Sequence, residues 1–185
     1  MSPVARSSRA LLAGSAGALA IAALWIVVVL VNAPPTSAGS VPRPADATAF
    51  TVEYVLDGDT IEARQQGGTD LAGTGEPVRI RLIGIDTPEG RPEPECGADG
   101  ARDRLRVLLP EGSTVWAAPD RETRDRYDRL LLYLWTGSGT FVNDILVREG
   151  HAEALRVEPN TAHAELFSAS ESAARADGLG QWGAC

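Results

Sequence analysis

Three short clusters in this 185-residue chain hold side chains that could do chemistry. The first is Asp57-Gly58-Asp59-Thr60. The second runs Arg81-Leu82-Ile83-Gly84-Ile85-Asp86-Thr87-Pro88-Glu89, and the third is Asp125-Arg126-Tyr127-Asp128-Arg129. Asp59, Asp86 and Glu89 fall where turns or strand ends are expected, and a hard cation such as Ca²⁺ takes several oxygen ligands of this kind. Arg81 and Arg129 each carry a planar fork that can engage a phosphate through two parallel hydrogen bonds. A metal, a carboxylate base and two arginines are what phosphodiester hydrolysis requires. The metal polarises a phosphoryl oxygen and binds water, the base orients that water, and the arginines hold the transition-state charge. His151 and His163 are the only histidines and Cys96 and Cys185 the only cysteines. Four residues so placed make a poor zinc site.

Taken singly, each cluster also reads as ordinary surface structure. Asp-Gly-Asp is a hairpin turn, Asp86-Thr87-Pro88-Glu89 is a strand exit held extended by its proline, and the charge-rich run ending at Arg129 is a solvated loop. The elements that would have to position them follow from periodicity. Phe50, Val52, Tyr54 and Val55, then the Asp57-Gly58 turn, then Thr60 and Ile61 predict a β-hairpin ending near Ala63. Gln65 to Glu76 is Gly-rich and polar, which predicts a loop. Alternation from Val78 to Ile85 predicts a half-buried strand. Pro88, Pro92 and Pro94 enforce a loop. Ala98, Ala101, Leu105, Leu108 and Leu109 follow helical spacing up to Pro110. Strands are expected at Thr114 to Ala118 and Leu130 to Trp135, and a short helix through Val142, Ile145 and Leu146. A last helix is expected from Thr161 to Asp177, capped by Asn160 or Thr161 and ended by Gly178. Short strands first and helices late indicate an α+β domain.

The N-terminus stands apart. Arg6 and Arg9 precede 22 uncharged residues from Ala10 through Val31, enough to cross a bilayer as one helix. The arginines predict an N-in orientation. Residues 1–31 therefore read as a membrane anchor, or as a signal segment cleaved near Ala38. Residues 32–48, with Pro34, Pro35, Pro42 and Pro44, read as a semi-extended tether. Residues 49–185 would be the folded domain, lying outside the cytoplasm. All 25 acidic residues lie beyond Ala38 with 15 of the 17 arginines, a charge of −10 for that part, and there is no lysine. Such a charge opposes strong non-specific attraction to DNA.

Taken together and in this order, the clusters resemble the staphylococcal nuclease (thermonuclease) family. The resemblance extends over nearly all of Phe50 to Trp182 and includes Val142-Asn143 and Leu146-Val147-Arg148-Glu149-Gly150. It implies an OB-fold, a five-stranded β-barrel with three helices. It implies Ca²⁺ held by the carboxylates of Asp59 and Asp86 and the carbonyl of Thr87. Glu89 would be the general base or hold the attacking water, and Arg81 and Arg129 would clamp the scissile phosphate. Arg126 and Tyr127 would hold a neighbouring phosphate. The implied activity is endonucleolytic cleavage of DNA or RNA by a monomer, leaving 3′-phosphorylated products.

Two departures bear on binding. The family's type member has two base-pocket tyrosines where Arg156 and Glu158 are expected here. Asp128 replaces a glycine, and pairing with Arg126 or Arg129 would weaken the clamp. A non-cutting OB module that binds nucleic acid or protein is therefore the alternative. Cys96 and Cys185, an even pair in an exported chain, are expected to form one disulfide that ties the C-terminus to the loop after Glu89.

Overall fold

The computed structural model describes residues 41–68 and 70–185. The proposed membrane segment and most of the tether lie outside the described residues. Among the described residues, no helix is long and apolar enough to cross a membrane. In chain order the elements are β1 (Thr48–Val55), β2 (Thr60–Gln65), β3 (Val78–Leu82), β4 (Ile85–Asp86), α1 (Ala98–Leu108), β5 (Thr114–Arg124), β6 (Leu130–Thr136), α2 (Val142–Arg148), β7 (Glu153–Ala154), α3 (Ala164–Ala176) and the single turn α4 (Gln181–Ala184). The α+β expectation holds.

Five strands close a barrel in the order β1-β2-β3-β6-β5. Neighbours run antiparallel, except that β3 and β6 are parallel with Ile80 opposite Leu130. Inward-facing Phe50, Val52, Ile61, Ile80, Leu82 and Leu132 are fully buried, each worth about 1.5–3 kcal/mol of apolar transfer. Closure leaves the barrel no free edge. The three longer helices pack around it, as the OB-fold expectation required. Cys96 and Cys185 are joined, Cα atoms 5.9 Å apart.

Four sequence expectations are corrected. The strand expected through Ile85 breaks at Gly84, whose φ is 80°. A Cβ there would drive into the Phe167 ring, so only glycine makes the turn that starts β4, which pairs with β7. Strand β5 runs on past Ala118 to Arg124, with its register broken between Pro119 and Arg124. Helix α3 starts at Ala164, three residues late, and no side chain caps it. Asn160 is instead used by its amide, which accepts from the backbone N–H groups of Arg121 (3.0 Å) and Glu122 (2.9 Å) and donates to the Glu122 carbonyl. Tyr54 lies within β1 but outside the core. The β1–β2 register shifts between Val52 and Tyr54, Glu53 and Tyr54 both face out, and Tyr54 is 49% exposed. Residues 41–47, read from their prolines as the end of the tether, lie against the barrel. Trp135 Nε1 donates to the Val41 carbonyl (3.0 Å), and Arg43 stacks over Trp116.

Candidate active site

The site grows from the β1–β2 turn. The amides of Leu56 and Asp57 both point at the Thr60 carbonyl, and the Asp59 amide donates to Asp57 Oδ1 (3.1 Å). A Cβ on Gly58 would come within 2.7 Å of both Ala101 and Thr87, so glycine lets this turn seat against helix α1. Register then brings the second cluster alongside, because Thr60 stands opposite Arg81 in the β2–β3 ladder.

Asp59 becomes the hub. Its Oδ2 accepts from Thr87 N (3.1 Å) and Oγ1 (2.9 Å), and its Oδ1 accepts from Thr60 Oγ1 (3.0 Å). Arg81 Nε lies 3.0 Å from the same oxygen, while another Arg81 nitrogen donates to Asp86 Oδ1 at 2.7 Å. The remaining guanidinium donor reaches the carbonyls of Leu82 and Ile85. Burial pushes the Asp59 carboxyl up to about 6, opposed by Arg81 and reinforced by the nearby Asp57 carboxylate. Asp59, Arg81, Asp86 and Thr87 are thus one bonded unit.

Arg129 is placed by the turn before β6. Asp125 Oδ1 accepts from the amides of Tyr127 (2.9 Å) and Arg129 (3.0 Å), and its Oδ2 accepts from Arg129 Nε (2.8 Å). Burial works to raise the Asp125 carboxyl, but these donors outweigh it and hold it below its usual range. Asp128 takes φ 64°, the left-handed conformation a glycine would take. Its carboxylate pairs with Arg124 (3.0 Å), not with Arg126 or Arg129, so the feared weakening of the clamp comes from Asp125 if from anywhere. Arg126 stacks on the exposed Tyr127 ring, 4.7 Å from its centroid.

Arg81, Asp125 and Arg129 line one cavity of about 250 Å³, whose apolar wall includes Leu155 and Val157. Leu155 and Val157, and not Arg156, therefore line this cavity. Arg156 pairs with Glu158 (3.1 Å) and Glu165 (3.6 Å), and Glu158 does reach the cavity rim. Alternation explains the shift, since successive side chains of an extended segment face opposite ways. Glu89 is exposed and lines a second cavity of about 360 Å³ with Asp57. The two cavities share no lining residue. Glu89 and the two arginines thus line different cavities.

Among the described residues, no group of three or more His, Cys, Asp or Glu side chains is placed to hold a metal ion. The donors present fit an open site for a hard cation. They are all oxygens, and Asp59 and Asp86 converge on one guanidinium. Water and substrate oxygens would complete the shell.

Two positioning residues carried little sequence signal. Asp125 was visible only as part of a motif. Asn143, wholly buried, accepts from Leu134 N and donates to the Ile83 carbonyl, both at 2.9 Å. It ties β6 to the β3–β4 turn that carries Arg81 and Asp86. In the sequence it appeared only within the Val142-Asn143 pair of the resemblance, with no role attached.

Comparison with known proteins agrees with this geometry. Residues 79–184 match the model for staphylococcal nuclease homologues. The chain is 31% identical over 160 residues to a thermonuclease of Staphylococcus hyicus, with 84% of this chain and 87% of that protein covered. It is 31% identical over 137 residues to endonuclease YncB of Bacillus subtilis and likewise to the SPbeta prophage-derived endonuclease YokF, with 71% of this chain covered in each case. It spans only 60% and 43% of those two Bacillus proteins. The barrel, the Asp59–Arg81–Asp86 hub and these matches together place the chain in the staphylococcal nuclease family.

Proposed function

We propose that the domain is a Ca²⁺-dependent endonuclease that hydrolyses DNA or RNA outside the cytoplasm and leaves 3′-phosphorylated ends. The observation that carries it is the bonded Asp59–Arg81–Asp86 unit, with Arg81 and Arg129 lining one cavity and Glu89 lining another. A pure binding module has little physical need for all five. The charge of −10 favours that second reading, in which the same fold binds without cutting. The Cys96–Cys185 bridge supports an oxidising compartment.

Asp59, Asp86 and the Thr87 carbonyl would hold the ion, which when bound supplies a Lewis acid for the phosphoryl oxygen. Arg81 and Arg129 grip the non-bridging oxygens and stabilise charge that grows there. Both arginines are pre-set by carboxylates, so little reorganisation accompanies reaction. Glu89 orients a water and takes its proton. The water oxygen bonds to phosphorus as the bond to the 5′-oxygen breaks, and that oxygen takes a proton from solvent water to leave as a 5′-hydroxyl. Arg126 and Tyr127, at the outer end, hold the next phosphate.

A nuclease assay on single-stranded DNA with Ca²⁺ or with chelator tests the proposal. Cleavage with Ca²⁺, loss in chelator, and 5′-ends that accept label from a kinase without prior phosphatase treatment are expected. Full activity in chelator would overturn the metal assignment. Tight binding with no cleavage would establish the binding module instead.

A further inference from the structure

The cavity lined by Glu89 is not accounted for by the two-arginine clamp. It holds about 360 Å³, in the range of small-molecule sites, against about 250 Å³ for the Arg81/Arg129 cavity. Asp57 and Glu89 line it on the side of the Asp59 hub. Tyr54 lines it too, half exposed and directed outward by the register shift in β1. Such shifts re-aim side chains beside active sites. Arg91 and Arg102 complete the charged lining.

Arg91 differs from most other arginines in this acidic domain. Arg64, Arg81, Arg104, Arg124, Arg129 and Arg156 all engage carboxylates. Arg91 enters no ion pair among the described residues. Arg102 gives one terminal nitrogen to Asp99, but its buried Nε has no hydrogen-bond partner. A buried donor left without an acceptor is costly, and a phosphate oxygen would satisfy it. An aromatic face next to unsatisfied cationic donors is how single-stranded nucleic acid is gripped.

In-line attack decides which nucleotide goes there. Water held by Glu89 enters opposite the departing 5′-oxygen, so the leaving nucleoside lies away from Glu89, toward the Arg81/Arg129 cavity. We infer that the Tyr54 cavity is the subsite for the nucleotide that keeps the phosphate, with its base stacked on Tyr54 and the phosphate on its 5′ side held by Arg91 and Arg102. This rests on the nuclease reading above.

The test uses an end-labelled 12-nucleotide single strand carrying one abasic residue, with cleavage mapped bond by bond. At the bond 3′ to the gap, the abasic residue occupies the Tyr54 cavity. At the bond 5′ to it, the gap falls in the Arg81/Arg129 cavity. The wild-type domain should lose roughly tenfold in rate at the 3′ bond relative to an intact strand. Tyr54→Ala should erase that loss at the 3′ bond and keep whatever loss occurs at the 5′ bond, while Tyr54→Phe should behave as wild type. In a second strand, a methylphosphonate replaces the phosphate one step upstream of a given bond. The wild-type rate at that bond should fall, and Arg91→Ala should make it insensitive. No wild-type loss at the 3′ bond, or an equal loss in Tyr54→Ala, overturns the stacking. A methylphosphonate effect that is absent in wild type or unchanged in Arg91→Ala overturns the phosphate seat. A domain that leaves the intact strand uncut overturns the nuclease reading, and this subsite with it.

Discussion

Glu89 and Glu95 hold each other by two hydrogen bonds. The Glu89 amide donates to the Glu95 carboxylate, and the Glu95 amide donates to the Glu89 carbonyl, both at 2.8 Å. The loop that presents the proposed base is thereby closed on itself, and the next residue, Cys96, is bonded to the C-terminal residue of the chain. The tail beyond α3 is thus tied to the loop that carries Glu89.

The first prediction concerns that bond. It closes a sequence separation of 89 residues, for which the chain-entropy relation gives roughly 4 kcal/mol. Cys96→Ser with Cys185→Ser should therefore lower the denaturant midpoint by several kcal/mol of stability. Amide exchange at Glu89 and Glu95 should accelerate as well. An unchanged midpoint with unchanged exchange would show that the bond constrains neither the chain nor the loop.

Turnover should depend on Glu89 and Arg129 more than stability does. Glu89→Gln and Arg129→Ala are each expected to lower kcat by about 100-fold or more, as removal of one preorganised charge does. Circular dichroism should remain that of the native domain. A folded variant that cuts at near the native rate would remove its residue from the mechanism.

Asn143 should behave as a buried strut. Replacing it with alanine strands the Leu134 N–H and the Ile83 carbonyl inside the protein. Each unsatisfied group costs about 1–3 kcal/mol, so a loss of roughly 2–5 kcal/mol is expected by urea unfolding. A loss under ~1 kcal/mol would mean that water or a shifted backbone replaces both bonds.

His163 should couple stability to pH. Its ring packs against Tyr133 (4.6 Å) and Phe141 (5.0 Å). Burial lowers its pKa, although Asp120 and Asp144 pull the other way. A histidine kept neutral by the fold takes up fewer protons than in the unfolded chain. Its stabilising contribution is therefore full above the unfolded value of about 6.5 and is lost as pH falls below it. Unfolding midpoints measured from pH 7.5 to 5 should fall less steeply in His163→Gln than in the native protein. Parallel curves would assign the acid limb elsewhere, His151 being the other histidine whose pKa burial lowers.

Few phosphate contacts against a repulsive background should make substrate binding sensitive to salt. With about three arginine–phosphate contacts, the logarithm of affinity for single strands should fall with the logarithm of salt at a slope near −2. Arg126→Ala should reduce that slope by about 0.7 and leave kcat largely intact. A slope near zero on long DNA would contradict phosphate gripping altogether.

Much of this was legible in the residues in order. The Asp57-Gly58 turn, the alternation on both sides of it and the helical spacing from Ala98 to Leu109 are local patterns, and local patterns set local structure. The reactive residue types were visible for the same reason, since their chemistry belongs to the side chain. What only the tertiary structure decided is which of them meet. Asp59 and Thr87 are 28 residues apart, and β3 meets β6 in parallel, so no periodicity could pair them. Gly84 looked like part of a strand until Phe167 filled the space above it. Asn160 looked like a helix cap, but the late turn of β5 offered its amide three backbone partners instead. Tyr54 sits in the predicted hairpin strand in step with Phe50 and Val52, and only the shifted register shows that it faces outward. Arg129 found Asp125 rather than Asp128 because a left-handed residue at 128 carries the intervening carboxylate to Arg124. In each case a long-range contact outweighed the local preference, because burying an apolar face or satisfying a buried polar group is worth more than the few tenths of a kcal/mol by which neighbouring conformations typically differ.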